Sequence, residues 1–298
     1  MAAANHFRYS RKVRPKPTPL LDHTYSLLNR LARSTERVLE LATKTLEEVP
    51  IVFYDQRLAN RATFSRYGHM GEYRTPERQS AGLYPFEQRM LERYFPQAPA
   101  RILVHGAGGG RELLALAKVG YSVQAHEPSA ALAKAAQGLV QSRDGVSVRG
   151  QSVQEWAKEA SGHFDGVFTG WAMWAHLVQK QERLDVLRAF RRVCPGGPVL
   201  LSFFRADQCF SISEQRSQPG PLHPGWQSRL LHLTRHTIRE KLLRLPAIER
   251  GTGWHDGHFY HLTEEWELRE EATEAGYEVA YWEKDALIYP HAVLLPAP

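Results

Sequence analysis

The stretch that decides the fold, residues 101–129, reads RILVHGAGGGRELLALAKVGYSVQAHEPS. Its apolar residues 102–104 predict a short buried strand, and glycines follow that strand at once. Glycine suits backbone that takes unusual dihedral angles or approaches a ligand closely. A helical pattern then runs to Gly120, and a second strand is predicted over 121–125, finishing at Glu127. This order predicts half of a nucleotide-binding βαβ unit, with the ligand against the helix N-terminus.

The glycine spacing separates two classes of cofactor. Dinucleotide-binding enzymes use GxGxxG, whose third glycine lets helix and strand pack closely. Arg111 stands at that third position here, and the loop instead follows GxGxG at Gly106, Gly108 and Gly110. That spacing resembles the first motif of the class I methyltransferases that use S-adenosylmethionine (SAM). Glu127 could then accept the ribose hydroxyls. On the loop alone, an ordinary glycine-rich turn stays open as the alternative.

Composition predicts a cytoplasmic globular protein. With 298 residues and 43% hydrophobic content, the chain can bury a large core in one or two domains. No run approaches the roughly 18 apolar residues of a membrane span, and no apolar segment follows the basic N-terminus as in a secretory signal. Cys194 and Cys209 are the only cysteines, which disfavours a disulfide framework.

The net charge of +6 is concentrated at the N-terminus. Residues 1–20 carry five basic side chains and no acidic one, so the rest of the chain is nearly neutral. We interpret residues 1–20 as a basic flexible tail, with contact to RNA or to an acidic partner as the alternative. Because no basic excess extends over the folded part, binding of nucleic acid is disfavoured.

Residues 21–95 are predicted to form a helical cap. Apolar residues at helical spacing indicate helices over 21–32 and 38–46, and Pro50 is expected to end that region. The following segment, 53–78, is rich in aromatic residues and arginine. A short helix is predicted over 86–95. No flexible linker separates the cap from residues 96–298, so we expect it to pack on that domain.

From residue 96 the chain alternates strand and helix, the signature of a parallel sheet with helices on both faces. Further strands are predicted at 146–148, 164–168 and 199–204, with helices at 128–140 and 182–193 and one capped by Ser152. An insertion at about 205–262 includes a basic helical piece, 226–245. Thr263 is then expected to cap a helix, and strands at 277–282 and 287–295 to form a hairpin.

Over residues 95–298 the order of motifs resembles the class I methyltransferases. The features are the GxGxG loop, Glu127 after strand two, Phe164-Asp165 at strand four, PGG at 195–197 and TEEWELREEATEAGYEV before the hairpin. The resemblance implies an α/β fold with a doubly wound, seven-stranded, mostly parallel sheet and an antiparallel terminal hairpin. Here a helical N-terminal cap and the insertion after strand five would be added to it.

The resemblance also implies a SAM site at the carboxyl ends of the strands. The residues it assigns to the cofactor are His105, Gly106, Ala107, Gly108, Gly110, Glu127, Pro128, Gln151, Ser152, Gly170 and Trp171. Two positions depart from the family. Val104 stands where an acid usually orients the methionine ammonium, so that contact must come from elsewhere. Gln151 replaces an acid that binds the adenine amino group, although its carbonyl can still accept that hydrogen bond.

Methyl transfer is an in-line displacement that needs a general base only when the nucleophile arrives protonated. The candidate bases are His176, His258 and His261, each with an ordinary structural role as the alternative. Aromatic and basic residues of the cap, with one tryptophan after strand four, are candidates for the substrate wall or lid: Tyr67, Tyr73, Arg74, Tyr84 and Trp174. For the tryptophan, packing in the core stays open as the alternative. The histidines near 255–261 lack metal-ligand spacing, so no metal site is predicted.

The main hypothesis is a SAM-dependent methyltransferase that acts on an O or N atom of a small or medium-sized molecule. The asparagine-proline-proline-aromatic signature of nucleic-acid amino methyltransferases is absent after strand four, where the chain reads TGWAMWAH. A methyltransferase for RNA or protein, and a non-catalytic SAM-binding regulator, stay open as alternatives. No membrane partner is expected, and the sequence leaves oligomerisation open.

Overall fold

The computed structural model describes residues 19–53, 56–170, 172–205, 237–245, 247, 249–255, 258–284 and 290–298. The chain divides into two compact units, Met1–Glu48 and Val49–Pro298. Helix α1 (Pro19–Val52) supplies the described residues of the first unit. One continuous helix therefore replaces the two that we predicted, and the expectation that Pro50 ends the region is wrong, since the helix continues for two more residues.

The second unit alternates helices with strands. Its helices are α2 (Gln56–His69), α3 (Pro76–Ser80), α4 (Pro85–Tyr94), α5 (Arg111–Val119), α6 (Ala130–Val140), α7 (Val153–Glu159), α8 (Lys180–Val193) and α9 (Glu265–Glu274). Short 3-10 helices span Gly71–Arg74 and Met173–His176, and a π-helix spans Thr237–Leu242. Among the described residues, no helix combines the length and apolar character needed to cross a membrane.

The strands are β1 (Arg101–His105), β2 (Ser122–His126), β3 (Val146–Arg149), β4 (Gly166–Thr169), β5 (Val199–Ser202), β6 (Phe204–Arg205), β7 (Thr252–His255), β8 (His258–Thr263), β9 (Tyr277–Trp282) and β10 (His291–Pro296). Seven of them form one sheet in the order β3-β2-β1-β4-β5-β10-β9. Strand β10 runs antiparallel to both neighbours, and the other pairings are parallel. The predicted fold class is thereby confirmed.

The strand order reverses between β1 and β4, and this places the ligand crevice. In open α/β sheets the crevice lies outside the carboxyl ends of the strands at that reversal. His105, the last residue of β1, is in register with His126 of β2 and with Thr169 of β4. The loops that follow these three strands therefore meet at one edge of the sheet.

The side chains of β1 contribute alternately to two clusters of the core. Ile102 packs in one cluster with Met90 of α4, while Leu103 packs in the other with Phe190 of α8. Successive side chains of a strand point to opposite faces, so one three-residue apolar run serves both layers. Met90 is only 3% exposed, so helix α4 of the predicted cap forms part of this core.

The insertion differs from its prediction. Strands β6, β8 and β7 form a second sheet, with β7 and β8 paired antiparallel, and the sequence did not predict this hairpin. Of the predicted helical piece 226–245, residues 226–236 lie outside the described residues, and the described remainder begins with the π-helix. Strand five ends at Ser202 and not at residue 204.

The predicted cap at Thr263 is also wrong. Thr263 is the last residue of β8, and Glu264 is the N-cap of α9. The backbone N–H of Glu264 donates to the carboxylate of Glu267 at 3.4 Å, as in a capping box. The predicted hairpin is confirmed as the antiparallel pair β9–β10, although its turn, 285–289, lies outside the described residues.

Candidate active site

The glycine loop between β1 and α5 is held in an open, left-handed conformation. Gly106, Gly108 and Gly110 have φ of 72°, 53° and 99°. The N–H of Gly106 donates to the carbonyl of His126 at 3.0 Å, which ties the loop to the end of β2. A Cβ atom added at Gly106 would lie 2.7 Å from Met173, whereas one added at Gly108 would meet no atom within 4 Å. Gly108 is therefore where the loop leaves room for a ligand.

Glu127 is fixed against this loop. Its carboxylate accepts hydrogen bonds from the backbone N–H groups of Gly108 and Ser129, both at 2.8 Å. The residue is only 5% exposed. Burial raises the pKa of this carboxyl to about 7, against the lowering effect of the two N–H donors, and the nearby Glu112 contributes a further increase. A carboxylate with spare acceptor positions therefore stands beside the open side of Gly108.

A cleft opens above the loop and Glu127, with about 930 Å³ of empty space, part of it open to solvent. The glycine loop and the residues after β2 form one side, and Phe64 and Tyr67 of α2 and Tyr73 form another. Met173, His176 and Leu177 come from the segment after β4. The cleft therefore joins the carboxyl edge of the sheet to aromatic side chains of the cap.

Tyr67 and His176 meet at the wall of this cleft. The Tyr67 hydroxyl lies 2.9 Å from Nε2 of His176, and Nδ1 lies 3.2 Å from the carbonyl of Phe259. A carbonyl can only accept, so Nδ1 carries the proton and Nε2 accepts from the tyrosine. Burial, with His258 adding to it, lowers the pKa of His176 to about 4. The ring is thus a neutral acceptor at physiological pH.

Residues 73–84 of the predicted cap contact the glycine loop and the start of α5 directly. A Cβ atom at Gly109 would overlap the backbone oxygen of Tyr73. The side chain of Gln79 donates to the carbonyl of Gly109 at 2.8 Å. Arg111 donates to the carbonyl of Gly82 at 2.6 Å and lies 4.0 Å from the centre of the Tyr84 ring. These contacts place Tyr73 at the mouth of the cleft.

Most of the predicted cofactor residues surround the cleft. Those that line it are His105, Gly106, Ala107, Gly108, Glu127 and Pro128, together with Tyr67, Tyr73 and His176 from the predicted catalytic and lid sets. Gly110, Gly170, Gln151 and Ser152 do not line the cleft. A Cβ atom at Gly170 would overlap the carbonyl of Gly106, and Ser152 caps α7 by accepting from the Glu155 N–H at 3.2 Å. Trp171 lies outside the described residues.

Four predicted residues fall elsewhere. Trp174 is 0% exposed and belongs to the core cluster with Leu103, so its assignment to the substrate wall is corrected: the 3-10 helix turns its ring inward. Arg74 is exposed, and Tyr84 stacks on Phe86 with ring centres 6.1 Å apart, so neither lines the cleft. His258 lies behind the wall, with its ring centre 5.5 Å from that of His176.

His261 is likewise not in the cleft. It is 0% exposed, and its Nε2 lies 2.9 Å from the carboxylate of Glu267. Ligand atoms of Glu249, His261 and Glu267 come within 4.8 Å of one another, a spacing that could suit a metal ion. The guanidinium of Arg183, however, contacts Glu249 at 3.2 Å and Glu267 at 3.0 Å. That cation already pairs with two of the three residues, so we interpret the cluster as an ion-pair network.

Glu112 and His126 are two of the cleft residues that the sequence analysis did not assign to the site. Glu112, in the first turn of α5, lines the cleft at 4% exposure. His126 lines it at 1% exposure, and its ring stacks on His105 with centres 5.0 Å apart. An acid directly before the apolar run 113–117 was the available signal for Glu112. For His126, the signal was its position beside Glu127 at the end of the strand.

The comparisons agree with this geometry. Residues 103–201 match the family model described as a methyltransferase domain. A solved SAM-dependent methyltransferase from Methanosarcina mazei is similar at 19% identity and a TM-score of 0.52, covering 72% of this chain and 99% of its own. The CcbJ methyltransferase of Streptomyces caelestis is similar at 16% identity and a TM-score of 0.52, covering 82% and 100%. No curated protein matches the chain.

The domain match begins on β1 and ends on β5, so it contains the glycine loop, Glu127 and His176. The solved structures share the fold across nearly their whole length. Residues 103–201 therefore match a methyltransferase domain, and the solved structures show that the chain shares the fold of SAM-dependent methyltransferases.

Proposed function

We propose that the protein methylates an oxygen or nitrogen atom of a small or medium-sized molecule held in the cleft between the glycine loop and Tyr67. The observation that carries this proposal is the pairing of Tyr67 with His176, at 2.9 Å, on the wall of the same cleft that the loop and Glu127 line. A proton acceptor and the cofactor residues thus share one space.

The residues of the cleft fit SAM. Gly108 leaves open space beside the backbone, and Glu127 offers carboxylate oxygens to the ribose hydroxyls. Gln151, which does not line the cleft but lies next to His126, would supply an amide for the adenine. Burial and then the charge of Arg149 lower the pKa of His126 to about 4, and Gln151 opposes this lowering. When bound, SAM supplies a methyl group already activated by its sulfonium. The protein must therefore align the acceptor and exclude water.

His176 would take the proton of the acceptor. Because Nδ1 is held by the Phe259 carbonyl, Nε2 is the free-base nitrogen of the ring and faces the cleft side occupied by the Tyr67 hydroxyl. A hydroxyl or amine of the acceptor would replace that phenol as the donor. As the acceptor atom bonds to the methyl carbon, the carbon–sulfur bond of SAM would break, with its electron pair left on the sulfur of S-adenosylhomocysteine. The proton of the acceptor would move to Nε2 of His176.

The lining favours an apolar or aromatic acceptor. Phe64, Tyr67, Tyr73 and Met173 present rings and a thioether to the cleft. Aromatic faces bind flat, weakly polar molecules by stacking. A long anionic polymer would instead need a basic surface, and the sequence outside residues 1–20 has little excess positive charge.

The test is transfer of label from SAM tritiated in its methyl group. Acceptor fractions would be cell extract below about 1 kDa, RNA and protein. We expect label in the small-molecule fraction, and a loss of about 100-fold in His176→Ala, within the usual range for a general base. The control is His163→Ala, because the His163 side chain is 69% exposed and lies outside the cleft. Label confined to RNA or protein, or full activity in His176→Ala, would contradict the proposal.

A further inference from the structure

Helix α1 carries an apolar face that no other described element of its own unit covers. The helix is the described part of the unit Met1–Glu48. Its large apolar side chains in that unit are more than half exposed, among them Tyr25, Leu28, Leu31, Val38 and Leu39. A long helix in water is stabilised mainly by the packing of its apolar face. This face therefore needs a partner.

The residues of the face follow the seven-residue repeat of a coiled coil. Steps of three and four residues connect the inner positions of this repeat, the seam: Tyr25, Leu28, Ala32, Thr35, Leu39 and Ala42. The sequence extends the same spacing to Leu21 and Leu46. Leu31 and Val38, each one residue before an inner position, widen the apolar stripe. A repeat sustained over more than three heptads is typical of a helix that packs along a second helix.

Thr35 is a polar residue in the middle of this seam, and its hydroxyl is already paired. The hydroxyl donates to the backbone carbonyl of Leu31 at 2.9 Å, one turn earlier in the same helix. A polar group that is bonded within its own helix can be buried without the loss of a hydrogen bond. Thr35 is therefore compatible with an apolar contact to a partner helix.

The charges of α1 favour a second helix over a membrane surface as the partner. Residues 19–52 contain five acidic and four basic side chains. A helix that lies on an anionic membrane instead carries an excess of lysine and arginine on its polar face. A second copy of the chain brings a seam with the same repeat and the same length, as a two-fold symmetric contact requires.

We propose that two copies of the chain associate through the seams of their α1 helices. The proposal is independent of the proposed function. At 34 residues, α1 is about 51 Å long. Roughly 19 of its residues fall at the two inner and two flanking positions of the heptad, close to the 20–30 residues that each partner contributes to a stable interface.

The test is the mass of the full chain in solution, measured by light scattering during size-exclusion chromatography at micromolar concentration. Wild type should have twice the 34.0 kDa of one chain. The double variant Leu28→Glu, Leu39→Glu places charges in the seam and should weaken association at least ~100-fold, which leaves a single chain. The control is Ser26→Glu, Arg33→Gln, which makes the same change in net charge at exposed positions outside the seam. It should associate within about 2-fold of wild type.

Mixing two variants shows whether the seams meet each other. Leu28→Lys, Leu39→Lys should also be a single chain by itself, but should pair with the glutamate variant, because opposite charges then face each other across the seam. All seven tryptophans follow residue 48, so their fluorescence shows that the second unit stays folded in each variant.

Four outcomes would overturn the proposal. They are a wild type that is a single chain, with or without binding to anionic vesicles; a glutamate variant that pairs like wild type; a control that loses pairing as the glutamate variant does; and a mixture of the glutamate and lysine variants that stays monomeric. The last outcome applies also where either variant by itself weakens the helix, because only complementary seams restore the pair.

Discussion

Arg111 and Glu87 form a bidentate ion pair that joins α5 to α4, with both nitrogen–oxygen distances at 2.7 Å. Their side chains are 6% and 2% exposed. Arg111 starts the helix of the glycine loop, and Glu87 is in the first turn of the cap helix. The residue that breaks the dinucleotide pattern therefore also joins the cap helix α4 to the helix that follows the glycine loop.

Removing this arginine should strongly destabilise the protein. Arg111→Met would leave Glu87 and Glu112 buried without their cation, which typically costs about 3–5 kcal/mol. Urea unfolding of variant and wild type measures the loss. Arg188→Met is the control, since its pair with Glu274 at 3.0 Å is 46% and 44% exposed and should contribute less than about 1 kcal/mol. Equal losses for the two variants would show that the buried pair has no special role.

The fold could be predicted from the sequence because the patterns that indicate it are local. The loop glycines, the strand–helix alternation and Glu127 each depend on a few neighbouring residues, and the structure has the corresponding elements in order. The partner of Arg111 was not predictable in this way. Glu87 is 24 residues earlier and meets Arg111 only because α4 packs against the sheet.

The second feature that the sequence did not predict was the direction in which side chains point in the segment after β4. Trp174 and His176 are two residues apart after β4, and spacing did not indicate which would face the core. Trp174 fills the core, while His176 reaches the cleft. The β7–β8 hairpin was missed because Gly251, Gly253 and the mixed aromatic and histidine residues around them obscure a period of two.

Glu127 should make stability depend on pH in the absence of ligand. Its folded pKa of about 7 lies above the ordinary 4.5, so its contribution is fully present below about pH 4.5 and is lost as the pH rises through 7. Relative to Glu127→Gln, wild type should lose on the order of 3 kcal/mol between pH 4.5 and 8. Urea unfolding at several pH values measures this difference. A difference that stays constant with pH would mean that Glu127 titrates normally.

Two adjacent glycines should respond differently to alanine. Gly108→Ala adds a methyl group to open space, at a left-handed φ of 53° that costs roughly 1–2 kcal/mol. It should therefore fold and lose affinity for S-adenosylhomocysteine. Gly109→Ala would overlap the backbone of Tyr73 and should loosen the cap. Hydrogen exchange of residues 71–80 distinguishes them: protection should fall in Gly109→Ala and persist in Gly108→Ala. The reverse pattern would contradict this placement of the cap.

His176 should stay neutral across the physiological range. Its pKa of about 4 follows from burial, and the Phe259 carbonyl fixes the proton on Nδ1. Nitrogen NMR of the ring should show one neutral tautomer from pH 5 to 8, with Nε2 shifted in Tyr67→Phe as the phenol donor is lost. If the ring titrates near 6.5, or if its signals do not respond to the Tyr67 substitution, His176 is not the neutral proton acceptor that we describe.

The central claim is that the cleft above Gly108 binds SAM. Calorimetric titration of the intact protein with SAM, S-adenosylhomocysteine and NAD tests it most directly, because Arg111, which pairs with Glu87, stands at the position of the third glycine of a dinucleotide loop. The account predicts one-to-one binding of the first two ligands and no measurable binding of NAD. Binding of NAD, with none of SAM or S-adenosylhomocysteine, would contradict it.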